Sequence, residues 1–261
     1  MLSHSLNRNF VTLYLPFMTI QLDNLQIGYH RRKQPQPIAP PLHATASEGQ
    51  LTLLVGANGT GKSTLLRTIA RLQQPLGGDI CIDTKNIRNL TREQLARTIA
   101  IVLTEKISIP SVTVEQIVAT GRAPYTNHFN RLNADDQQEI DHAIEIVGLQ
   151  QLRSKYFNEL SDGEQQKTLI AKAIAQATPV ILLDEPTAFL DYPTKQQCIQ
   201  IMRQLAHEHG KTIILSTHDL DLALPQADSV WFMQHGKDIC QQTLEKLEQL
   251  PDFQLFLKKK A

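Results

Sequence analysis

The segment Gly56-Ala57-Asn58-Gly59-Thr60-Gly61-Lys62-Ser63 constrains this chain more than any other. It follows the apolar run Leu51-Thr52-Leu53-Leu54-Val55 and precedes a helical pattern from Ser63 to Leu72, so a buried strand, a glycine-rich turn and a helix are expected in succession. The glycines let successive backbone N–H groups curl to one side. The helix N-terminus adds its positive dipole end, and Lys62 adds a compact charge. A turn that merely joined strand to helix would leave Lys62 without a task. Gly56, Ala57, Asn58, Gly59, Thr60, Gly61, Lys62, Ser63 and Thr64 are therefore expected to cradle the phosphates of a nucleotide, with the Ser63 hydroxyl offered to Mg²⁺.

Two further apolar runs, Val180-Ile181-Leu182-Leu183 and Thr212-Ile213-Ile214-Leu215, each end in polar residues. They read as central strands of one parallel sheet whose ligand-facing edge also carries the glycine-rich turn. Asp184 and Glu185 fall at the first of these ends. Asp184 is placed to hold Mg²⁺ through its water shell, and Glu185 to orient and deprotonate a water attacking a terminal phosphate. At the second end, Ser216-Thr217-His218-Asp219 offers His218 as a hydrogen-bonding partner of that phosphate or water. In isolation an Asp-Glu pair is a solvated turn and a lone His a structural residue; the phosphate loop changes both readings. About 107–178 is helical in pattern, with helices expected at 112–120, 134–147 and 164–177. Strand-like alternation at 19–28 precedes a stretch with Pro35, Pro37, Pro40 and Pro41, which is expected to form a loop beside an edge strand.

Composition excludes several classes. The 26 Lys and Arg balance 26 Asp and Glu over 261 residues, so no global field recommends nucleic acid as a partner. Cys81, Cys198 and Cys240 form no CxxC pair and fit a reducing compartment. No run approaches the ~20 apolar residues of a spanning helix. The apolar patch Val11–Met18 lacks the basic flank and cleavage site of a signal peptide, and residues 1–18 are expected to be an extension upstream of a true start at Met18. Residues 251–261 are expected to be a C-terminal tail, and its basic run Lys258-Lys259-Lys260 to be solvated.

The order of these segments resembles the ATP-binding cassette family, the nucleotide-binding subunits of membrane transporters, over about 19–250. Leu160-Ser161-Asp162-Gly163-Glu164-Gln165-Gln166 resembles the family signature, usually LSGGQ. Thr187-Ala188-Phe189-Leu190-Asp191 looks like its D-loop with Asp191, His218 matches its switch histidine, and Tyr29 falls where the family stacks an aromatic ring on adenine. The resemblance implies an α/β fold: a P-loop NTPase core with a mainly parallel sheet, an antiparallel β subdomain and a helical subdomain at about 107–178. It implies an Mg-dependent ATPase that dimerises head to tail, so that Ser161, Asp162, Gly163 and Glu164 of one copy close on ATP held by Lys62 of the other. It further implies hydrophobic permease subunits, a periplasmic or surface substrate-binding protein, and a place on the cytoplasmic face of the membrane. As bare chemistry the signature is also a capping box, Ser161 with Glu164.

Two departures stand out. Asp162 and Glu164 bring carboxylates to a helix start meant to meet phosphate, and Thr104 stands where the family has a glutamine that touches Mg²⁺. A threonine reaches such a metal only through water, whereas neighbouring Glu105 is longer but adds negative charge. Gly121-Arg122-Ala123-Pro124-Tyr125 looks like a segment of importers for ferric siderophores, haem and cobalamin, and Phe189-Leu190-Asp191-Tyr192 leans the same way. Iron-chelate import is the favoured cargo class. The alternatives are a soluble non-transport cassette ATPase, a catalytically impaired regulatory subunit and an ordinary P-loop kinase.

Overall fold

Residues 18–31, 34–104, 110–126 and 131–259 are described by a computed structural model. Most of the N-terminal extension and Glu105 lie outside these described residues.

The chain opens with β1 (Ile20–Gln26), a ribbon of β2 (Gly28–Arg31) and β3 (Gln34–Pro37), and β4 (Leu42–Ala46). Next come β5 (Leu51–Gly56) and α1 (Lys62–Ile69), then β6 (Gly77–Ile82), β7 (Lys85–Asn86), α2 (Arg92–Ala96) and β8 (Ile99–Val102). Strands β4-β1-β6-β7 form an antiparallel sheet. Within β1 the register shifts on both sides near Asn24, whose φ is +49°. This bulge changes the alternation so that Ile20, Leu22, Leu25 and Ile27 all stay inside.

The helical segment holds α3 (Val114–Ala119), α4 (Ala134–Ile146) and α5 (Asp162–Ala175). Each starts on a capping box: Thr113 with Gln116, Asn133 with Asp136, and Ser161 with Glu164. The chain then returns through β9 (Val180–Asp184), α6 (Tyr192–His207), β10 (Thr212–Ser216), α7 (Leu220–Ala223), β11 (Ser229–Met233), β12 (Cys240–Gln242), α8 (Leu244–Leu247) and α9 (Pro251–Lys258). The second sheet runs β12-β11-β5-β10-β9-β8, parallel except for the β12 edge. Strands β5, β9, β10 and β11 are buried at every position, as strands covered on both faces must be. Leu53, Leu183 and Leu215 point into a core shared with α3–α6, while Leu54, Leu182 and Ile214 point into a core shared with α1 and the antiparallel sheet. Each such side chain contributes about 1.5–3 kcal/mol of burial.

The turn after α3 is sewn into the helical segment. A Cβ on Gly121 would lie 2.4 Å from the Lys172 carbonyl oxygen, so only glycine permits this approach to α5. Arg122 is 6% exposed; its Nε donates to Asp136 Oδ1 at 2.9 Å and its Nη1 to the Ala175 carbonyl at 2.9 Å. The Tyr125 ring centre lies 4.1 Å from its guanidinium carbon. Burial alone would raise the Asp136 carboxyl, but the Asn133 N–H and the Arg122 hydrogen bond and charge outweigh it and hold the group below its usual range.

Two expectations are corrected. Residues 251–258 are not a tail: α9 buries Phe253 completely, edge-on to Phe232 with centroids 5.1 Å apart. The apolar spacing of Phe253, Phe256 and Leu257 behind Pro251 is that of a docked helix. The proline-rich stretch is not wholly loop either, because Gln34–Pro37 pairs with β2. Pro35 and Pro37 alternate, so both missing N–H groups fall on one edge of a two-stranded ribbon, where no ladder bond is lost.

Candidate nucleotide site

Parallel pairing puts the chemistry on one sheet edge. Gly56 lies opposite Met233, and Ser216 lies opposite both Leu54 and Asp184. A cleft of about 590 Å³ opens there, lined by Tyr29, Ile38, Asn58, Gly59, Gly61, Lys62, Ser63, Thr64, Glu185 and His218. Two glycines are obligatory. A Cβ on Gly56 would lie 2.4 Å from the Met233 carbonyl oxygen, and Gly61 adopts φ +103° as the residue before α1. No side chain caps that helix and no acid stands in its first turn, which suits its leading N–H groups to an anion.

Lys62 is 7% exposed and donates to the carbonyls of Gly56 at 3.0 Å and Ala57 at 3.2 Å. Thr60 also ties the loop, its hydroxyl donating to Ala57 O at 2.9 Å. Gly56, Ala57 and Thr60 thus shape the loop, while the other phosphate-loop residues expected from the sequence line the cleft. Tyr29 stands half-exposed at the cleft, its hydroxyl 3.0 Å from Thr64 Oγ1, which leaves the ring face open to a base.

Asp184 is 2% exposed, and its Oδ1 accepts from the Ser216 hydroxyl at 2.8 Å. Glu185 Oε1 meets His218 Nε2 at 2.6 Å, so the two residues expected to handle the attacking water are already paired. Ser63 and Asp184 offer hard oxygen donors. Among the described residues no cluster of three His, Cys, Asp or Glu could hold a metal, so ligands from a nucleotide would have to complete the set; that suits Mg²⁺. Thr104 takes a different partner from the expected metal: its hydroxyl donates to the Asp184 carbonyl at 2.7 Å.

The signature is organised apart from this cleft. Ser161 N–H and hydroxyl both donate to Glu164 Oε2, at 2.8 and 2.9 Å, and Glu164 N–H donates back to Ser161 Oγ at 3.3 Å. The Ser161 backbone N–H, then its hydroxyl, hold the Glu164 carboxyl below its usual range, with Lys155 and Lys167 adding charge. Asp162 is exposed. A Cβ on Gly163 would touch Leu190 at 3.4 Å, so the signature and the 187–191 loop are neighbours. Asp191 caps α6 by accepting from Thr194 N at 3.2 Å. None of Ser161, Asp162, Gly163, Glu164 or Asp191 lines the Lys62 cleft of its own chain.

Sequence reasoning missed the residues that hold these groups. Ser216 supports both acids, and Asp219 receives the Thr187 hydroxyl at 2.6 Å and Lys195 Nζ at 2.7 Å, fixing the chain next to His218. Polar residues after an apolar strand were the sole local signal, and it does not say which hydroxyl reaches which carboxylate.

In sequence and in fold the chain resembles known proteins. The ABC transporter family model matches residues 40–188. The achromobactin transport ATP-binding protein of Dickeya dadantii is 37% identical over 78% of this chain and 74% of its own length. The ferric enterobactin transport ATP-binding protein of Escherichia coli is 32% identical, over 84% and 79%. A bacterial ABC transporter cassette solved as a dimer superposes with TM-score 0.76 at 25% identity, covering 86% of this chain and 98% of that one; it has also been solved as a post-hydrolysis dimer with ADP and Pi. With its phosphate loop, acidic strand end and signature helix in family order on the family fold, this chain belongs to the ABC transporter family.

Proposed function

We propose that this chain is the ATP-hydrolysing subunit of a membrane importer for iron chelates, acting as a homodimer. The observation that carries the reading is the Glu185–His218 pair on the Lys62 cleft, with the signature helix outside that cleft. Such a chain needs a second copy to bring Ser161 and Gly163 to its nucleotide. The ferric enterobactin relative from Escherichia coli supports the iron-chelate class, while a cobalamin import ATP-binding protein of Halobacterium salinarum, 36% identical over 77% of this chain, keeps cobalamin as the second reading. In the Gly121–Tyr125 segment Arg122 is a buried structural cation, so the segment speaks for the importer group by resemblance and not by contact with cargo.

Lys62 and the loop N–H groups bind and orient the phosphate chain. Glu185 takes the proton of a water attacking the terminal phosphate, giving ADP and Pi from ATP and water, and His218 holds that carboxylate in place. Mg²⁺, held by Ser63 and Asp184, would neutralise charge on the phosphates. Separate hydrophobic permease subunits carry the chelate, a periplasmic or surface binding protein delivers it, and the chain works at the cytoplasmic face. Closure favoured by ATP and released by its hydrolysis supplies the movement.

ATP turnover by the purified chain, measured against protein concentration with Glu185→Gln alongside, tests the reading. A rate rising more steeply than linearly and lost in the variant is expected. Parental turnover in Glu185→Gln would remove the catalytic assignment.

A further inference from the structure

Glu185 adopts φ +49°, a left-handed conformation that disfavours any residue with a Cβ. An acid expected to touch the attacking water is thus held against its own backbone preference, and such strain persists only where surrounding contacts over-determine it. Those contacts converge on one peptide unit, the one joining Asp184 to Glu185. Its N–H is shared between the carbonyl oxygen of Ser216 at 3.0 Å and the Ser216 hydroxyl at 3.1 Å. Its C=O accepts from the Thr104 hydroxyl at 2.7 Å. The same Ser216 hydroxyl donates to Asp184 Oδ1, so one side chain sets both the peptide and the preceding carboxylate.

The two grips come from opposite flanks. Strand β10 pairs with β9 through Ser216 and Asp184, whereas the last registered pair of β8 with β9 is Val102 with Leu183. Beyond it, the Thr104 side chain supplies a donor to the next carbonyl along. Rotating the 184–185 peptide would break the bonds at both of its ends and swing Glu185 away from His218, 2.6 Å from it.

We propose that Thr104 and Ser216 are positioning residues that grip the Asp184–Glu185 peptide from its two sides and so fix the Glu185 carboxylate on His218. This rests on the ATPase reading above, and it gives the threonine at 104 a task that needs no contact with metal. The two hydroxyls act through Glu185 and touch no substrate.

The experiment compares Thr104→Val, which keeps the shape and removes the hydroxyl, with Thr104→Ser, which restores it, and with Ser216→Ala. Steady-state ATP hydrolysis by the full chain, melting temperature and amide hydrogen exchange across 180–190 are measured on each. Misplacing a catalytic group lowers kcat more than it alters substrate binding, so Thr104→Val is expected to lose about tenfold in kcat and Ser216→Ala about a hundredfold, each with KM for ATP within about twofold. Thr104→Ser recovers most of the rate, and exchange at the Glu185 amide quickens in the Val and Ala variants without a matching fall in melting temperature. Parental kcat in Thr104→Val, equal losses in the Ser and Val variants, or unchanged exchange at Glu185 would each overturn the proposal. If the parent chain hydrolysed no ATP, the ATPase reading would fall, and the exchange measurement would still decide whether these hydroxyls hold the peptide.

Discussion

Two helix N-termini in this molecule are expected to meet phosphate, and they are prepared in opposite ways. Helix α1 begins after Gly61 with no side-chain cap and no acid in its first turn. Helix α5 begins with a closed capping box and carries Asp162 and Glu164 in its first turn. At α1 the dipole end and its N–H groups are open to an anion, with Lys62 beside them. At α5 the Ser161 N–H and hydroxyl are held by the Glu164 carboxylate and the Glu164 N–H by the Ser161 hydroxyl, so a phosphate must compete with Glu164 for Ser161. The first helix end has no side-chain cap to displace, whereas at the second the Ser161 groups are already taken by Glu164. That contrast fits a nucleotide held by one chain and only conditionally recognised by another.

The largest effects are expected at the open end and the acid beside it. Lys62→Ala is expected to weaken ATP binding by about a hundredfold, the worth of charge-assisted hydrogen bonds to phosphate, as read by nucleotide titration. Glu185→Gln leaves that end intact and is expected to keep ATP binding while losing about 10²–10⁴ in turnover, the range for a removed general base, and to accumulate a closed dimer on size-exclusion chromatography with ATP. If Lys62→Ala bound ATP as the parent does, the α1 end would not be the anion site.

The second test loosens the other end from behind. Arg122 bonds to Asp136 on α4 and to Ala175 at the far end of α5. Arg122→Ala strands Asp136 as a buried carboxylate that keeps the Asn133 N–H but has no counter-charge, a loss of about 3–5 kcal/mol measurable by urea denaturation. ATP affinity of the surviving folded chain is expected to stay at the parental level, because nothing at the Lys62 cleft depends on this pair. A fall in affinity as large as that of Lys62→Ala would join two regions that the structure keeps apart.

The open end was legible in the sequence because its information is local. Eight consecutive residues between a strand and a helix specify backbone curl, charge and dipole together, and Asp184-Glu185 is read from the apolar run before it. The capped end was legible as well, since Ser161 and Glu164 stand three residues apart. What stayed hidden is non-local. Thr104 reaches Asp184 across 80 residues and Ser216 reaches it across 32, and no pattern along one strand says which neighbour will lie beside it. The α9 docking failed for a different reason: its apolar spacing was present, but the terminal lysines drew the reading towards a tail.

The smallest effect sharpens the comparison most. Glu164→Gln keeps an acceptor for the Ser161 N–H and removes the charge, so α5 becomes more like α1. A charge beside a helix terminus is worth about 0.3–1 kcal/mol, hence ATP-dependent dimerisation is expected to tighten about two- to fivefold by sedimentation of the Glu185→Gln background. The charge that opposes dimerisation stabilises the fold of the single chain. Glu164 is held below its unfolded value of 4.5, so its contribution to stability is complete above that pH and is lost as pH falls through the lower folded value. Glu164→Gln is therefore expected to lower the melting temperature near neutrality, where the ionised carboxylate contributes in full, and to flatten its further fall below pH 4.5. Tighter dimerisation without that flattening would mean that Glu164 repels phosphate without stabilising its own helix end, and equal dimerisation would mean that Ser161 is not contested by the Glu164 charge.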